Sequence, residues 1–365
     1  MTEENKIVAQ VEKSVRVAMS LRDVEPVKSF IEAVCDVYNR LEVLPDGNGN
    51  DCCKQLGDAV YRDLHQALRS LHVGLDNPLS LQGKPTVLPR AEPAIPAKVR
   101  TKHFDIIIPV HNQLRYLEQC LKSLRENTTD YNLILIDDGS DEAVRDWLAA
   151  QGADVLIRHD RPLGFGRSCN EGLRKALTSR ICVLNSDTVV TPGWSSIIHA
   201  VMDAGMDVVG PTTSHSSGIQ CDHQIAPVRK HLTIDEIYNI AAQKCRAHGI
   251  SYEETDVFGF CMLIDRRVIE RIGGFDWVRY ADGYYEDTDF VWRAKQCGFR
   301  PAWAKGAYVH HYGGTSFGTR IGWRRIRALS DRNQAIFAER IQSLTDLYFD
   351  MEQAEDAVSA ASQSA

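Results

Sequence analysis

Arg180-Ile181-Cys182-Val183-Leu184-Asn185-Ser186-Asp187-Thr188 is a short apolar run that stops abruptly at a carboxylate. A continuous Ile, Cys, Val, Leu run without polar alternation reads as a strand buried on both faces, the habit of parallel sheets covered by helices. Asp187 then sits at a strand's carboxyl end. In open α/β sheets ligands bind along that edge, so a carboxylate on a rigid strand there is suited to holding a metal ion against a phosphate. The competing reading is an Asp that caps the next turn, because Thr191-Pro192-Gly193 follows closely.

Upstream of this run, short apolar strands alternate with helical stretches. Strands are expected at Phe104 to Val110, Leu133 to Asp138 and Asp154 to Ile157, and helices at Tyr116 to Leu124, Ala143 to Ala150 and Gly166 to Leu177. That spacing predicts right-handed βαβ units and an α/β fold: a mostly parallel sheet with helices on both faces. Downstream, Asp207 to Pro211 and Phe258 to Ile264 read as strands, Thr212 to Gly218 as a polar loop and Asp235 to His248 as a helix. A short strand at Ala307 to Val309 precedes His310 and His311.

Further out the chain changes character. Residues 1–76 carry helix-period apolar positions broken by Pro45-Asp46-Gly47-Asn48-Gly49-Asn50, which predicts a small helical domain. Residues 77–102 are dense in proline and lack periodicity, as in an extended linker. The α/β domain is expected over 103–318, helices over 319–349 and a disordered tail over 350–365. At 365 residues and 44% hydrophobic, the chain has the composition of a globular protein able to bury a sizeable core. It shows no apolar run long enough to span a membrane, and its acidic start is unlike a secretory signal, so a cytoplasmic location is expected. The ten cysteines form no CxxC pair, and several lie in apolar runs, which predicts buried thiols over disulfides or a zinc site. A net charge of −7 argues against a general nucleic-acid binder. The arginines between Arg320 and Arg332 fit an anionic acceptor, a membrane surface or merely a solvated helix face.

Three further clusters carry chemistry. Asp137-Asp138-Gly139-Ser140-Asp141 follows a strand, so its carboxylates emerge on the same sheet edge as Asp187. A carboxylate there can accept the imide N–H of uracil or thymine or a ribose hydroxyl, and a helix cap is the bland alternative. Glu286-Asp287-Thr288-Asp289 crowds three acids beside aromatic residues ahead of a helix. The helix dipole accounts for one or two of them, and a third points to a general base. His310-His311-Tyr312-Gly313-Gly314 offers imidazole and a flexible turn to a metal or a phosphate.

Taken in order, Val110-His111-Asn112, Ile136-Asp137-Asp138-Gly139-Ser140, Gly164-Phe165-Gly166 with Asn170-Glu171-Gly172, Leu184-Asn185-Ser186-Asp187-Thr188, Gly273-Gly274-Phe275-Asp276 and Glu286-Asp287-Thr288-Asp289 resemble the motifs of inverting family 2 glycosyltransferases of the GT-A fold. The likeness is greatest to their rhamnosyltransferase-like branch. It implies a nucleotide-sugar site built from Pro109, His111, Asp137, Asp138, Gly164, Asn170, Asn185, Ser186 and Asp187, with UDP- or dTDP-sugars favoured. It implies Mn²⁺ or Mg²⁺ held by Asp187, with His311 matching the family's late histidine better than His310. The family's metal-binding DXD reads Asn185-Ser186-Asp187 here, so only its last Asp is kept. Asp287 matches the general base, with Glu286 alongside and Asp289 as the alternative. The acceptor implied is a hydroxyl or other nucleophile of a glycan, lipid-linked or protein molecule, and the N-terminal helices suit acceptor docking or homo-oligomerisation. A nucleotidyltransferase shares the carboxylate, metal and nucleotide, but would usually carry a glycine-rich basic loop where Pro109-Val110-His111-Asn112-Gln113 stands. A catalytically silent carbohydrate-binding scaffold would not need the Glu286-Asp287 pair.

Overall fold

The structure, a computed structural model, describes residues 103–280, 283–313, 324 and 326–342. The expectations for residues 1–102 and for the tail beyond 342 fall outside them. The elements begin with β1 (Phe104–Val110), α1 (Leu114–Asn127), β2 (Tyr131–Asp137), α2 (Glu142–Ala149), β3 (Val155–Arg158), α3 (Phe165–Lys175) and β4 (Arg180–Leu184). Then come β5 (Thr188–Val190), α4 (Trp194–Asp203), β6 (Val208–Thr213), α5 (Ile234–His248), β7 (Tyr252–Glu254) and β8 (Cys261–Asp265). The series ends with α6 (Arg266–Ile272), α7 (Glu286–Gln296) and β9 (Pro301–His311). Residues 326–342 are helical, and the compact unit that holds the sheet ends at Leu329. No helix among the described residues is long and apolar enough to cross a membrane.

Every residue of β1 is buried, and the strand's two faces feed two different cores. Ile106, Ile108 and Val110 pack with Leu117 and Leu121 of α1, Leu148 of α2 and Trp194 and Ile198 of α4. Ile107 packs instead with Cys169 and Leu173 of α3, Val268 of α6 and Phe290 and Val291 of α7. Helices therefore cover both faces, as period-2 burial of a doubly apolar strand requires. Gly172 of α3 lies so close to Ile107 that an added Cβ would sit 2.4 Å from its Cγ2, which lets this helix approach the sheet.

The strand order is β3-β2-β1-β4-β8-β6-β9-β5, with β7 pairing onto β9. Pairing is parallel through β3, β2, β1 and β4 and again between β6 and β9. It is antiparallel where β8 enters between β4 and β6, and where β5 and β7 join β9. The sheet is thus mixed, parallel only in part, because the apolarity that marks Phe258 to Ile264 as a strand carries no information about its direction. Pro109, which lacks an N–H, is tolerated inside β1 because the β1–β4 ladder extends only to Ile107. Strand β9 is much longer than the Ala307 to Val309 run and includes both His310 and His311. Its Lys305-Gly306 interruption hides it in the sequence, and Gly306 is needed where a Cβ would meet the Gly249 carbonyl oxygen at 2.0 Å.

Candidate active site

Three loops leave the carboxyl ends of β1, β2 and β3 and lock together. The Asn112 N–H donates to Ser140 Oγ at 3.0 Å, the Asp141 N–H to Asn112 Oδ1 at 2.8 Å, and His111 Nδ1 lies 2.9 Å from the Asp138 carbonyl oxygen. Gly139 has φ 66°, and a Cβ there would collide with the Arg161 and Pro162 backbone, so the β2 and β3 loops touch where no side chain fits. Asp137 accepts the Ser140 N–H at 2.9 Å and pairs with Arg158. Asp138 accepts the backbone N–H groups of Leu163 at 2.6 Å and Gly164 at 2.9 Å, and His159 at 2.8 Å. Burial pulls the Asp138 carboxyl upward, but these three bonds outweigh it and hold it below the usual carboxylate range.

The second group forms where β4 ends. Residues 185–187 turn into β5, and the β5–β9 register sets Thr188 opposite His311. Asp187 Oδ1 consequently lies 3.1 Å from His311 Nε2, and Asn185 Nδ2 lies 3.4 Å from the same nitrogen. On its other side the His311 ring has Nδ1 2.7 Å from the His215 carbonyl oxygen. An Nδ1–H donated there leaves Nε2 either as a protonated partner of Asp187 or as a lone pair facing a carboxylate, an arrangement that a cation between them relieves. Asn185 Oδ1 is buried with no hydrogen-bond partner among the described residues. No three His, Cys, Asp or Glu side chains gather as a metal cluster among the described residues. The Asn185 amide is the third polar group beside Asp187 and His311, and a carboxylate, an amide and an imidazole are ligand types that Mn²⁺ accepts.

The third group is the start of α7. Glu286 is buried, its Oε2 finds no partner among the described residues, and burial together with the neighbouring Asp287 charge pushes its carboxyl up to about 8. Asp287 is partly exposed; its Oδ2 accepts the Gly259 N–H at 2.8 Å and its Oδ1 the Thr288 N–H at 2.8 Å. Asp289 is fully buried, 2.6 Å from Arg293 Nε and 3.3 Å from the Tyr280 hydroxyl. Tyr284 and Tyr285 enter the helix with φ 70° and 74°, a left-handed pair that bulky residues adopt only under constraint. Burial first, and then the charges of Glu286 and Asp187, push the Tyr284 phenol up.

Two residues that sequence reading passes over join the last two groups. The Gly259 N–H holds Asp287, while the next residue, Phe260, accepts the Asn185 N–H at 2.8 Å and stacks its ring on His311, with centroids 5.4 Å apart. A Cβ at Gly259 would lie 3.0 Å from that of Asp287, so any larger residue there would press on this acid. In the sequence this stretch reads only as the start of a strand; the strand begins at Cys261. Arg158 and His159 escape sequence reading as well, since nothing in Ile157-Arg158-His159-Asp160 marks them apart from an ordinary strand end. Ser186 lies half-buried in the turn between β4 and β5. Asn170, expected at the nucleotide sugar, sits on α3 with both ends of its amide on the Phe275 backbone, at 2.8 and 2.9 Å. His310 is held by the Tyr308 hydroxyl and the Arg229 carbonyl, both at 3.0 Å, away from the Asp187 pairing.

Residues 105–273 match the glycosyl transferase family 2. The chain is 30% identical over 101 residues to a putative glycosyltransferase, EpsH, of Bacillus subtilis (strain 168), and spans 29% of that relative's length and 26% of its own. Among solved structures it is similar to the mannosyltransferase PcManGT of Pyrobaculum calidifontis in complex with GDP-Man and Mn²⁺, with a TM-score of 0.45 and 15% identity over 78% of this chain and 74% of that one. It is also similar to GalNAc-T7 with UDP, GalNAc and Mn²⁺, with a TM-score of 0.43 and 17% identity over 57% of this chain and 43% of that one. Residues 105–273 thus correspond to a glycosyl transferase family 2 domain, and they lie in a mixed sheet with helices on both faces, a Rossmann-like α/β arrangement.

Proposed function

We propose that this family 2 glycosyltransferase domain moves a sugar, with inversion, from a nucleotide-diphosphate sugar to a nucleophile on a glycan, lipid-linked or protein acceptor, in the manner of the rhamnosyltransferase-like branch. The observation that carries the reading is the junction at Gly259 and Phe260, where consecutive residues hold the Asp287 carboxylate and the Asn185, Asp187 and His311 group. Successive Cα atoms are about 3.8 Å apart, and this closeness supports reading the two groups as one site.

Asp187, His311 and the Asn185 amide oxygen would hold the divalent ion, Mn²⁺ or Mg²⁺, which when bound neutralises charge on the departing diphosphate. Asp287 is suited to take the proton of the acceptor as its oxygen attacks the anomeric carbon from the face opposite the leaving group. One displacement with a base on the far side gives inversion. The Gly259 and Thr288 N–H groups orient the Asp287 carboxylate. A protonated Glu286 beside it adds no second negative charge to the base's surroundings. The loops that carry Asp137 and Asp138 would form the wall against which the base and ribose of the donor lie.

The test is release of UDP, dTDP or GDP from a panel of their sugars, with and without Mn²⁺ or Mg²⁺, and anomeric configuration of the product by NMR. Cation-dependent release with an inverted product supports the reading. Release of pyrophosphate from a nucleoside triphosphate and a sugar 1-phosphate would replace it with nucleotidyl transfer, and inertness towards the whole panel would favour a carbohydrate-binding scaffold.

A further inference from the structure

His159 follows β3 and is 7% exposed, yet its ring has a carboxylate on each side. Nδ1 lies 2.8 Å from Asp138 Oδ1 and Nε2 lies 2.9 Å from Glu171 Oε2 on α3. A neutral imidazole has one N–H and one lone pair, so one of these contacts would set a lone pair against a carboxylate oxygen. Only the doubly protonated ring donates to both. Neither acid is available for another role of comparable strength, because Asp138 also takes the Leu163 and Gly164 N–H groups. The other oxygen of Glu171 is turned to Arg167 at 3.8 Å and Arg174 at 3.9 Å.

We propose that His159, as an imidazolium, is a positioning residue of the donor pocket: it clasps Asp138 to Glu171 and so holds the Leu163–Gly164 backbone and the start of α3 in place for the nucleotide. This rests on the donor reading given above. The clasp has a mechanical consequence. Asp138 directly follows β2, Glu171 sits two turns into α3, and Gly164 opens that helix at φ 99°, a geometry few other residues hold. Losing the ring's charge would leave two acids facing a neutral ring in a buried space and release the segment between them.

The groups facing His159 all favour the charged ring or balance themselves. Asp138 comes from the loop after β2 and Glu171 from α3, where Arg167 and Arg174 partly neutralise it. The neighbouring Asp137 is paired with Arg158, and Asp160 and Arg161, next in the chain, are exposed. Burial alone would discharge His159, but the two carboxylates outweigh it and raise the ring to about 9. Burial pulls Glu171 upward most, but His159, Arg174 and Arg167 together hold it below the usual range.

Two measurements on the full chain test the clasp. In protein labelled with ¹⁵N-histidine, the His159 ring, assigned by comparison with His159→Gln, should show both nitrogens protonated at about pH 7.5 and titrate near pH 9. In Glu171→Gln the titration should fall by roughly one pH unit or more. Calorimetric affinity for UDP, dTDP and GDP with Mg²⁺, from about pH 6.5 to about pH 9.5, should hold level and then weaken about tenfold as the ring discharges, with the fall moved to lower pH in Glu171→Gln. If that variant fails to fold, coincidence of the two wild-type profiles decides. A ring that titrates like a free imidazole, or an affinity profile that ignores the ring's titration, overturns the clasp and leaves the donor reading standing. If none of the three nucleotides binds at any pH, the donor reading and the positioning role fall together, whatever the ring does.

Discussion

The two ends of the site treat their carboxyl and amide oxygens in opposite ways. On the parallel side of the sheet, at the ends of β2 and β3, the acids are saturated: Asp137 by Arg158 and Ser140, Asp138 by two backbone N–H groups and His159, and Glu171 by His159. On the antiparallel side, buried atoms stand unsatisfied among the described residues: Asn185 Oδ1 and Glu286 Oε2. An unpartnered buried polar atom costs roughly 1–3 kcal/mol, a cost that folding tolerates where something outside the chain completes the set. The saturated end is a preformed wall. The unsatisfied end is where a cation, a leaving phosphate and an acceptor would do so.

The difference predicts that substitutions fail differently at the two ends. The largest effect is expected at Asp187. Asp187→Ala should abolish sugar transfer and donor hydrolysis while the fold survives, since the side chain lies in the turn between β4 and β5 and its partner is His311. Activity retained in this variant would remove the metal reading of the unsatisfied end. Next comes Asp287→Asn, which keeps shape and most hydrogen bonds but removes basicity. Turnover should fall about 10²–10⁴-fold with nucleoside diphosphate affinity unchanged, the signature of a lost proton acceptor. A parallel loss of affinity would make Asp287 part of the donor wall instead.

Asp289 is the internal control, because the sequence offers it as the alternative to Asp287. Its carboxylate is fully buried against Arg293, so Asp289→Ala leaves that half-buried guanidinium with its Ile272 and Gly274 carbonyl bonds but no counter-charge and should cost about 3 kcal/mol of stability, read as a shifted urea midpoint. A stable but inactive Asp289→Ala would move the base by two residues.

Why sequence separates these acids so poorly is a matter of what pattern encodes. The strands β1, β2 and β4 are legible because burial on both faces leaves continuous apolar runs, and their trailing acids follow from the sheet-edge rule. The helix starting at Glu286 is legible from its acidic first turn. The pairing of Asp187 with His311 is not, because it depends on the register between a three-residue strand and the eleven-residue β9, which the sequence breaks at Lys305-Gly306. Arg158 and Arg293 decide which acids are neutralised, and such ion pairs join residues 21 apart in one case and four apart in the other. The Gly259-Phe260 junction is a turn hidden inside an apolar run, and its role is visible only once α7 and β9 arrive beside it.

The smallest effect, and the most direct probe of the contrast, is the cost of leaving Glu286 unsatisfied. Its carboxyl, raised from an ordinary value of 4.5 to about 8, holds its proton longer in the folded chain than in the unfolded one. Between pH 4.5 and 8 the native state therefore binds more protons than the unfolded state, and stability falls as pH rises across that window. Glu286→Gln carries no such penalty. The variant should match wild type near pH 4.5 and become progressively more stable towards pH 8. The gain is a few kcal/mol at most, because each tenfold difference in proton affinity between the folded and unfolded chains is worth about 1.4 kcal/mol. Urea midpoints taken at intervals across that pH window measure it. A gap that widens with pH, alongside reduced turnover, identifies Glu286 as an acid kept at the site at the expense of the fold. A gap that stays flat means that Glu286 is ionised and satisfied in solution, and the contrast between the two ends then reduces to Asn185 alone.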